Sequence, residues 1–131
     1  MMYREPSDSP WGVVVRCDTL CTGVYSVSTA GHGGIMVQTD AARRLLSPEA
    51  QAVGFQAGRY LNFEEDCDAS VALRELMDSG IIAPRTDNYF RPGEYEACID
   101  RSLQRWNPVY WRARQKRLSV QAAKATKERE R

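Results

Sequence analysis

The sequence predicts an α+β fold, in which a small, mainly antiparallel sheet packs against two helices and is followed by a basic C-terminal helix. Three observations support this prediction. Residues 11–63 contain short runs rich in β-branched residues, separated by glycine and aspartate. Two later segments, near 67–78 and 93–106, carry apolar residues at helical spacing. Residues 108–131 are strongly basic.

The composition indicates one small soluble domain. With 131 residues, of which 43% are hydrophobic, the chain can bury a core without disulfides. Its four cysteines are too few for a disulfide-dense secreted scaffold, and its first residues lack the charged-then-apolar pattern of a signal peptide. Because no apolar run approaches the length of a membrane span, we expect a cytoplasmic protein with reduced thiols and no membrane contact.

We divide the chain into three segments: an extended lead-in at 1–10, an α+β domain at 11–107 and a basic helical extension at 108–131. In the domain, the turn chemistry of Asp18-Thr19 predicts a hairpin between the first two strands. Three glycines surround His32 before the third strand, so the backbone there either turns tightly or is closely approached by another group. The predicted strands are 11–17, 23–29, 35–38 and 59–63.

Capping signals predict the helix starts. Short helices are expected after residues 39–40 and after Ser47, which is followed by a proline in the favoured first helical position. The helix near 67–78 has Asp66 or Asp68 as its candidate cap. The helix near 93–106 is predicted to bury a stripe made of Tyr95, Cys98, Ile99, Ser102, Leu103 and Trp106.

The charge is unevenly distributed along the chain. Residues 1–100 carry 8 basic and 15 acidic residues, whereas residues 101–131 carry 10 basic and 2 acidic residues. The C-terminal helix has only a thin apolar stripe, formed by Trp111, Gln115, Leu118, Ala122 and Ala125, and a helix with so few core contacts frays in isolation.

Three interpretations of this basic helix stay open. It is a solvated extension, it docks onto the acidic part of this chain or of a second copy in a homodimer, or it binds a partner. The partner would be a host or phage protein, or a nucleic acid bound through residues 105–131 by phosphate contacts and by stacking on Trp106, Tyr110 and Trp111. The predicted binding residues are Arg105, Trp111, Arg112, Arg114, Lys116 and Arg117.

His32 is the only histidine, so any chemistry that needs an imidazole uses it. A histidine before a strand and Cys67 at a helix N-terminus follow the chain order of circularly permuted papain-like hydrolases. This order would make His32 the general base and Cys67 the nucleophile, with Asp66 or Glu65 as the residue that orients the imidazole. The four acidic residues around Cys67 oppose this interpretation, because their charges raise the pKa of a thiol.

A metal site would use these acidic residues. In an extended segment Glu64 and Asp66 point to the same side while Glu65 turns away, so His32, Glu64 and Asp66 are the candidate ligands. A zinc site formed by Cys17, Cys21, His32 and Cys67 is less favoured, because the spacing is not that of a zinc ribbon or finger. The sequence predicts no cofactor, and a divalent metal is the one alternative left open.

The chain resembles a family of uncharacterised domains that are common in phage and mobile-element proteins. The residues that carry the resemblance are the segments V-S-T-x-x-H-G-G, at residues 27–34, and E-E-D-C-D, at residues 64–68. The resemblance covers residues 11–80. It implies an accessory role, groups the His32 loop with the 64–68 segment, and transfers no catalytic residue.

Two functions are therefore carried forward. The first is a phage-type accessory protein that binds a host or viral macromolecule through charged surfaces, for example to counter a host defence. The alternative is a small Cys-His or metal-assisted hydrolase or transferase that uses His32 and Cys67.

Overall fold

A computed structural model describes residues 3–129 and shows a five-stranded antiparallel sheet, a separate two-stranded ribbon and five helices. The strands are β1 (Asp8–Ser9), β2 (Gly12–Val13), β3 (Arg16–Cys21), β4 (Val24–Ser28), β5 (Gly33–Gln38), β6 (Phe55–Ala57) and β7 (Tyr60–Glu64). The helices are α1 (Thr39–Leu45), α2 (Pro48–Val53), α3 (Ala69–Asp78), α4 (Glu94–Trp106) and α5 (Pro108–Arg129). The predicted α+β class is confirmed.

The sheet has the strand order β3-β4-β5-β7-β6, and each neighbouring pair is antiparallel. Alternate residues face opposite sides of such a sheet. One face presents Val24, Ile35, Val37, Leu61 and Phe63 to the helices and forms the main core. The other face carries a smaller cluster of Tyr25, Val27 and Met36.

The first strand of the five-stranded sheet, β3, begins later in the chain than the predicted strand at 11–17. Asp18 and Thr19 are inside β3, and the hairpin turn falls at Thr22-Gly23, where Gly23 has a φ of 85°. This left-handed conformation favours glycine. The predicted strand at 11–17 is divided: Gly12–Val13 forms β2 and Arg16 begins β3, while Trp11 and Val14 pack on the smaller cluster of the second face.

Gly34 makes room for the Trp11 ring on this face of the sheet. A methyl group at its Cα would lie 2.5 Å from the Trp11 ring and would also collide with the Phe63 carbonyl oxygen. The Trp11 ring in turn meets Phe55 of β6 edge-on, with 6.1 Å between the ring centroids. Within the 11–17 segment β2 pairs with β1, so the predicted lead-in at 1–10 contains a strand.

The expectation that two helices cover the sheet is incomplete, because α1 and α2 also contribute to the core through Ala41, Ala42 and Ala50. Ser47 caps α2 as predicted, accepting a hydrogen bond from the Ala50 N–H. At α3, however, Asp68 occupies the cap position without a capping side-chain hydrogen bond.

The helix α4 buries less than its periodicity predicts. Ile99 and Leu103 are buried, whereas Cys98 is exposed and Trp106 is 51% exposed. The prediction that Cys98 is a core residue is therefore wrong. The reason is that α4 meets α3 partly through polar contacts, such as the Ser70–Ser102 hydrogen bond of 2.9 Å, and its apolar seam is correspondingly narrow.

The helix α5 packs along a different stripe from the predicted one. Tyr110 and Arg114 are buried and Trp111 is half-buried, but Leu118 and every later described residue are exposed. The first part of α5 is therefore an integral element of the core. In the described part of the chain, no helix is long and apolar enough to cross a membrane.

Candidate functional site

His32 lies in the connection between β4 and β5. The Thr29 N–H donates to the His32 carbonyl oxygen at 2.7 Å, and the Thr29 hydroxyl accepts from the His32 N–H at 3.1 Å. These bonds close a tight turn that leaves the imidazole exposed at the end of the sheet.

The acidic segment after β7 reaches the same end of the sheet. The Glu65 N–H donates to the Gly33 carbonyl oxygen at 3.1 Å, which extends the ladder one residue past β7. The chain then turns, and the Asp68 N–H donates to the Glu64 carbonyl oxygen at 2.9 Å. The carboxylates of Glu65 and Asp66 are thereby placed beside the imidazole of His32.

One ligand atom each from His32, Glu65 and Asp66 can lie within 4.8 Å of one another, and all three residues are exposed. The predicted ligand Glu64 is not in this cluster. Glu64 pairs with Gly34 in the ladder and so faces the Trp11 side of the sheet. The strict alternation assumed from the sequence ends after β7, because the turn brings Asp66 to the same side as Glu65.

Cys67 stands apart from this cluster within residues 3–129. It precedes α3, and its carbonyl oxygen accepts a hydrogen bond from the Asn107 side chain at 3.0 Å. Burial, and then the charges of Asp68 and Glu64, raise the pKa of the Cys67 thiol. The nucleophile would be the thiolate, so this environment opposes the predicted catalytic role of Cys67.

The four-residue zinc set is not assembled. A β-bulge between Thr19 and Cys21 places Cys17 and Cys21 on opposite faces of the sheet, where Cys17 adjoins the smaller cluster and Cys21 the main core. Burial, followed by the charge of Glu5, raises the pKa of Cys17 to about 11.

A depression of about 280 Å³ adjoins Glu65 on the helix-facing side of the sheet. Its wall includes Ser26 and Ser28 of β4 together with Leu73 of α3 and Tyr95 of α4. The His32 cluster therefore lies at the rim of a small cleft that combines hydroxyl groups with apolar side chains.

The cations at the end of α4 and along α5 divide into two groups, and the predicted basic binding residues are found in both. The first group is used inside the molecule. Arg114 forms two hydrogen bonds with Asp78, at 2.7 and 2.9 Å, and Arg117 contacts Glu75 at 3.3 Å. Burial alone would raise the pKa of Asp78, but the guanidinium groups of Arg114 and Arg74 outweigh it and hold that pKa below its ordinary value.

Glu75 is the centre of the contacts that hold α5 on α3, which we call the anchorage of α5. Its buried carboxylate accepts hydrogen bonds from the Tyr110 hydroxyl at 2.6 Å and from the Ser47 N–H at 2.6 Å, as well as from Arg117. The start of α2, the middle of α3 and the first half of α5 therefore meet at one buried carboxylate. No simple charge count could reveal this network, although the helical spacing of Tyr110, Arg114 and Arg117 is compatible with one contacting face.

The second group of cations has no ion-pair partner within residues 3–129. Arg105 lies over the Trp106 ring, 4.8 Å from its centroid. The other members are spread along exposed positions of α5: Arg112, Lys116, Lys124, Lys127 and Arg129. Of the predicted aromatic residues, Tyr110 is buried and only Trp106 is more than half exposed.

A family model described as a domain of unknown function, DUF7007, matches residues 4–131. This match confirms the expectation of an uncharacterised domain family and extends it over the C-terminal helix. Neither a curated protein nor a solved structure matches the chain.

Proposed function

The chain belongs to the DUF7007 family, and we propose that it is a non-enzymatic binding protein that engages an acidic macromolecule through the free cations of α5. Within that proposal it serves as an accessory protein of the phage type, acting on a host or viral component. The observation that carries the proposal is the exposed basic second half of α5.

This half of the helix has no buried residue among those that the structure describes, so little packing holds it in place. All residues from Leu118 to Arg129 are exposed, over about three helical turns. A segment of this length is marginal as an isolated helix in water. Contact with a partner would supply the stabilisation that the rest of the chain does not provide.

The charges point to an acidic partner. Lys116, Lys124 and Lys127 face no carboxylate within hydrogen-bonding distance among residues 3–129. In contrast, the carboxylates of Glu75 and Asp78 are already paired with Arg117 and Arg114. The three lysines are thus available for ion pairs with a partner, and such intermolecular ion pairs weaken as salt is added.

The experiment uses charge reversal. The triple variant Lys116→Glu, Lys124→Glu and Lys127→Glu is compared with the parent protein for binding to a labelled polyglutamate and to a labelled 20-base-pair DNA duplex, at low and moderate salt. We expect salt-dependent binding of at least one probe by the parent and its loss in the triple variant.

A matched variant reverses the charge at three exposed arginines elsewhere on the molecule by replacing each with glutamate: Arg43, Arg59 and Arg91. It changes the net charge by the same amount and is expected to keep most of the affinity. Equal losses in the two triple variants would mean that overall charge, not α5, governs binding, and the proposal would fail.

A second candidate function is supported by the His32 cluster. Imidazole with two carboxylates is a suitable ligand set for Mn²⁺, Fe²⁺ or Zn²⁺, and Glu65 lies beside the small cleft. In this proposal the chain binds one divalent metal at His32, Glu65 and Asp66. Titration with Zn²⁺ should show a single site that is lost in Glu65→Gln and kept in Glu64→Gln; the reverse result would remove this candidate.

A further inference from the structure

A groove runs between α2 and α5, and we propose that it docks a helical segment of a protein partner with an apolar stripe flanked by carboxylates. We call it the α2–α5 groove. It consists of two adjoining depressions, of about 400 and 690 Å³, that share Glu49 and Ala113 in their walls. The inference rests on the proposed function, since it assigns a partner class to the same helix.

The floor of the groove is apolar and open. In the first depression Ala52 and Val53 of α2 face Trp106 and Val109. The second depression continues along α5 to Val120. Trp106, Val109 and Val120 are 51%, 72% and 59% exposed, so the apolar side chains along the groove are open to a partner.

The spacing along α5 matches a helix-packing seam. Val109, Ala113 and Val120 follow one another at intervals of four and seven residues, which is the repeat that keeps one apolar stripe facing a parallel or antiparallel helix. From Val109 to Lys124 the helix rises about 22 Å. A partner helix of about four turns would cover this length.

The rim of the groove is basic. Lys116, Arg117 and Lys124 line the second depression, and Glu49 is the one carboxylate that lines either depression within the described chain. Because Arg117 is already paired with Glu75, the two lysines are free to meet acidic side chains. Charge complementarity therefore selects a partner helix that carries carboxylates beside its apolar stripe.

These features favour a protein segment over a nucleic acid. A duplex backbone offers phosphates but no apolar surface to cover Val109 and Val120. The groove also offers little aromatic surface on which bases could stack, because Tyr110 is buried and Arg105 covers one face of the Trp106 ring.

The test uses defined probes and the full-length protein. The first probe is a labelled 18-residue peptide with leucines at heptad positions a and d and glutamates at e and g. The second is a peptide of the same composition in scrambled order, and the third is a 20-base-pair DNA duplex. We expect the patterned peptide to bind most tightly, and the double variant Val109→Ser with Val120→Ser to weaken it at least about tenfold.

The control is Leu118→Ser, which removes an exposed apolar side chain from α5 outside the groove and should leave the affinity within about twofold. Circular dichroism verifies that each variant keeps its helices. Tighter binding of DNA, or equal binding of the patterned and scrambled peptides, would overturn the docking inference while leaving the charge-based proposal intact. Absence of binding to every probe would overturn both.

Discussion

The Tyr110→Phe variant tests whether the buried carboxylate of Glu75 holds α5 on the domain. The Tyr110 hydroxyl donates to Glu75 Oε2 at 2.6 Å, and both residues are almost completely buried. Burial, and then the hydrogen bond to Glu75, raise the pKa of Tyr110, so the hydroxyl keeps its proton and acts as the donor at neutral pH. The substitution removes this donor and little volume.

The loss can be bounded from the remaining partners of Glu75. A hydrogen bond to a charged group contributes about 1.5–3 kcal/mol. In the variant Glu75 still accepts from the Ser47 N–H at 2.6 Å and from Arg117 at 3.3 Å. Because the carboxylate keeps two donors, we expect a loss of about 2 kcal/mol in the free energy of unfolding, below the upper end of that range.

Urea unfolding followed by circular dichroism provides the measurement. With an m-value of about 2 kcal/mol/M, the midpoint should fall by about 1 M without a change in slope. The control is Tyr89→Phe, because Tyr89 is 84% exposed and its substitution should change the stability by less than about 0.5 kcal/mol. A Tyr110→Phe variant as stable as the control would refute the anchorage described above.

Three further predictions concern other parts of the fold. The pKa of Asp78 is held below its ordinary 3.8, so its contribution to stability is present above about pH 4 and is lost as the pH falls through the lowered pKa; the acid-induced drop in stability should shrink in Asp78→Asn. In thermal unfolding, Gly34→Ala should destabilise the fold by about 3 kcal/mol or more, because the new methyl group meets Trp11 and the Phe63 carbonyl. The control Gly31→Ala should be nearly neutral, because its methyl group meets nothing within 4 Å. Iodoacetamide at neutral pH should modify exposed Cys98 faster than Cys67, whose pKa is raised; faster modification of Cys67, detected by mass spectrometry, would restore it as a candidate nucleophile.

The sequence predicts best those elements whose local pattern and tertiary environment agree. The helix α3 is such a case, since Ala69, Ala72 and Leu76 are spaced for one face and are all buried. The helix α4 is less predictable, because Cys98 fits the apolar stripe but the seam with α3 is too narrow to cover it. Periodicity shows which side of a helix faces the core, while the width of the covered stripe depends on the neighbouring helix.

The candidate sites depend on contacts that no local pattern encodes. The metal cluster contains Glu65 and not the predicted Glu64, because the Glu65 N–H bonds to the Gly33 carbonyl oxygen and the chain then turns. The pairing of Arg114 with Asp78 joins residues 36 positions apart. The sequence can show that carboxylates precede α3 and that arginines follow α4, but only the packing of α5 on α3 decides which of them meet.

In the middle of α5 the cations divide by chemistry as well as by position, whereas Arg112 and Arg129 nearer its ends are exposed arginines. Between residues 114 and 127, the two that contact carboxylates of α3 are arginines, and the three that stay free are Lys116, Lys124 and Lys127. A guanidinium group makes two directed hydrogen bonds to one carboxylate, as Arg114 does with Asp78, while an ammonium group is a strongly hydrated point charge on a flexible stem. The arginines are therefore suited to fix the helix on the domain and the lysines to meet a partner whose carboxylates need not occupy fixed positions. On this reasoning, Arg114→Lys should lower the stability although it preserves the charge, whereas Lys116→Arg should leave both the stability and the binding of an acidic helix largely unchanged.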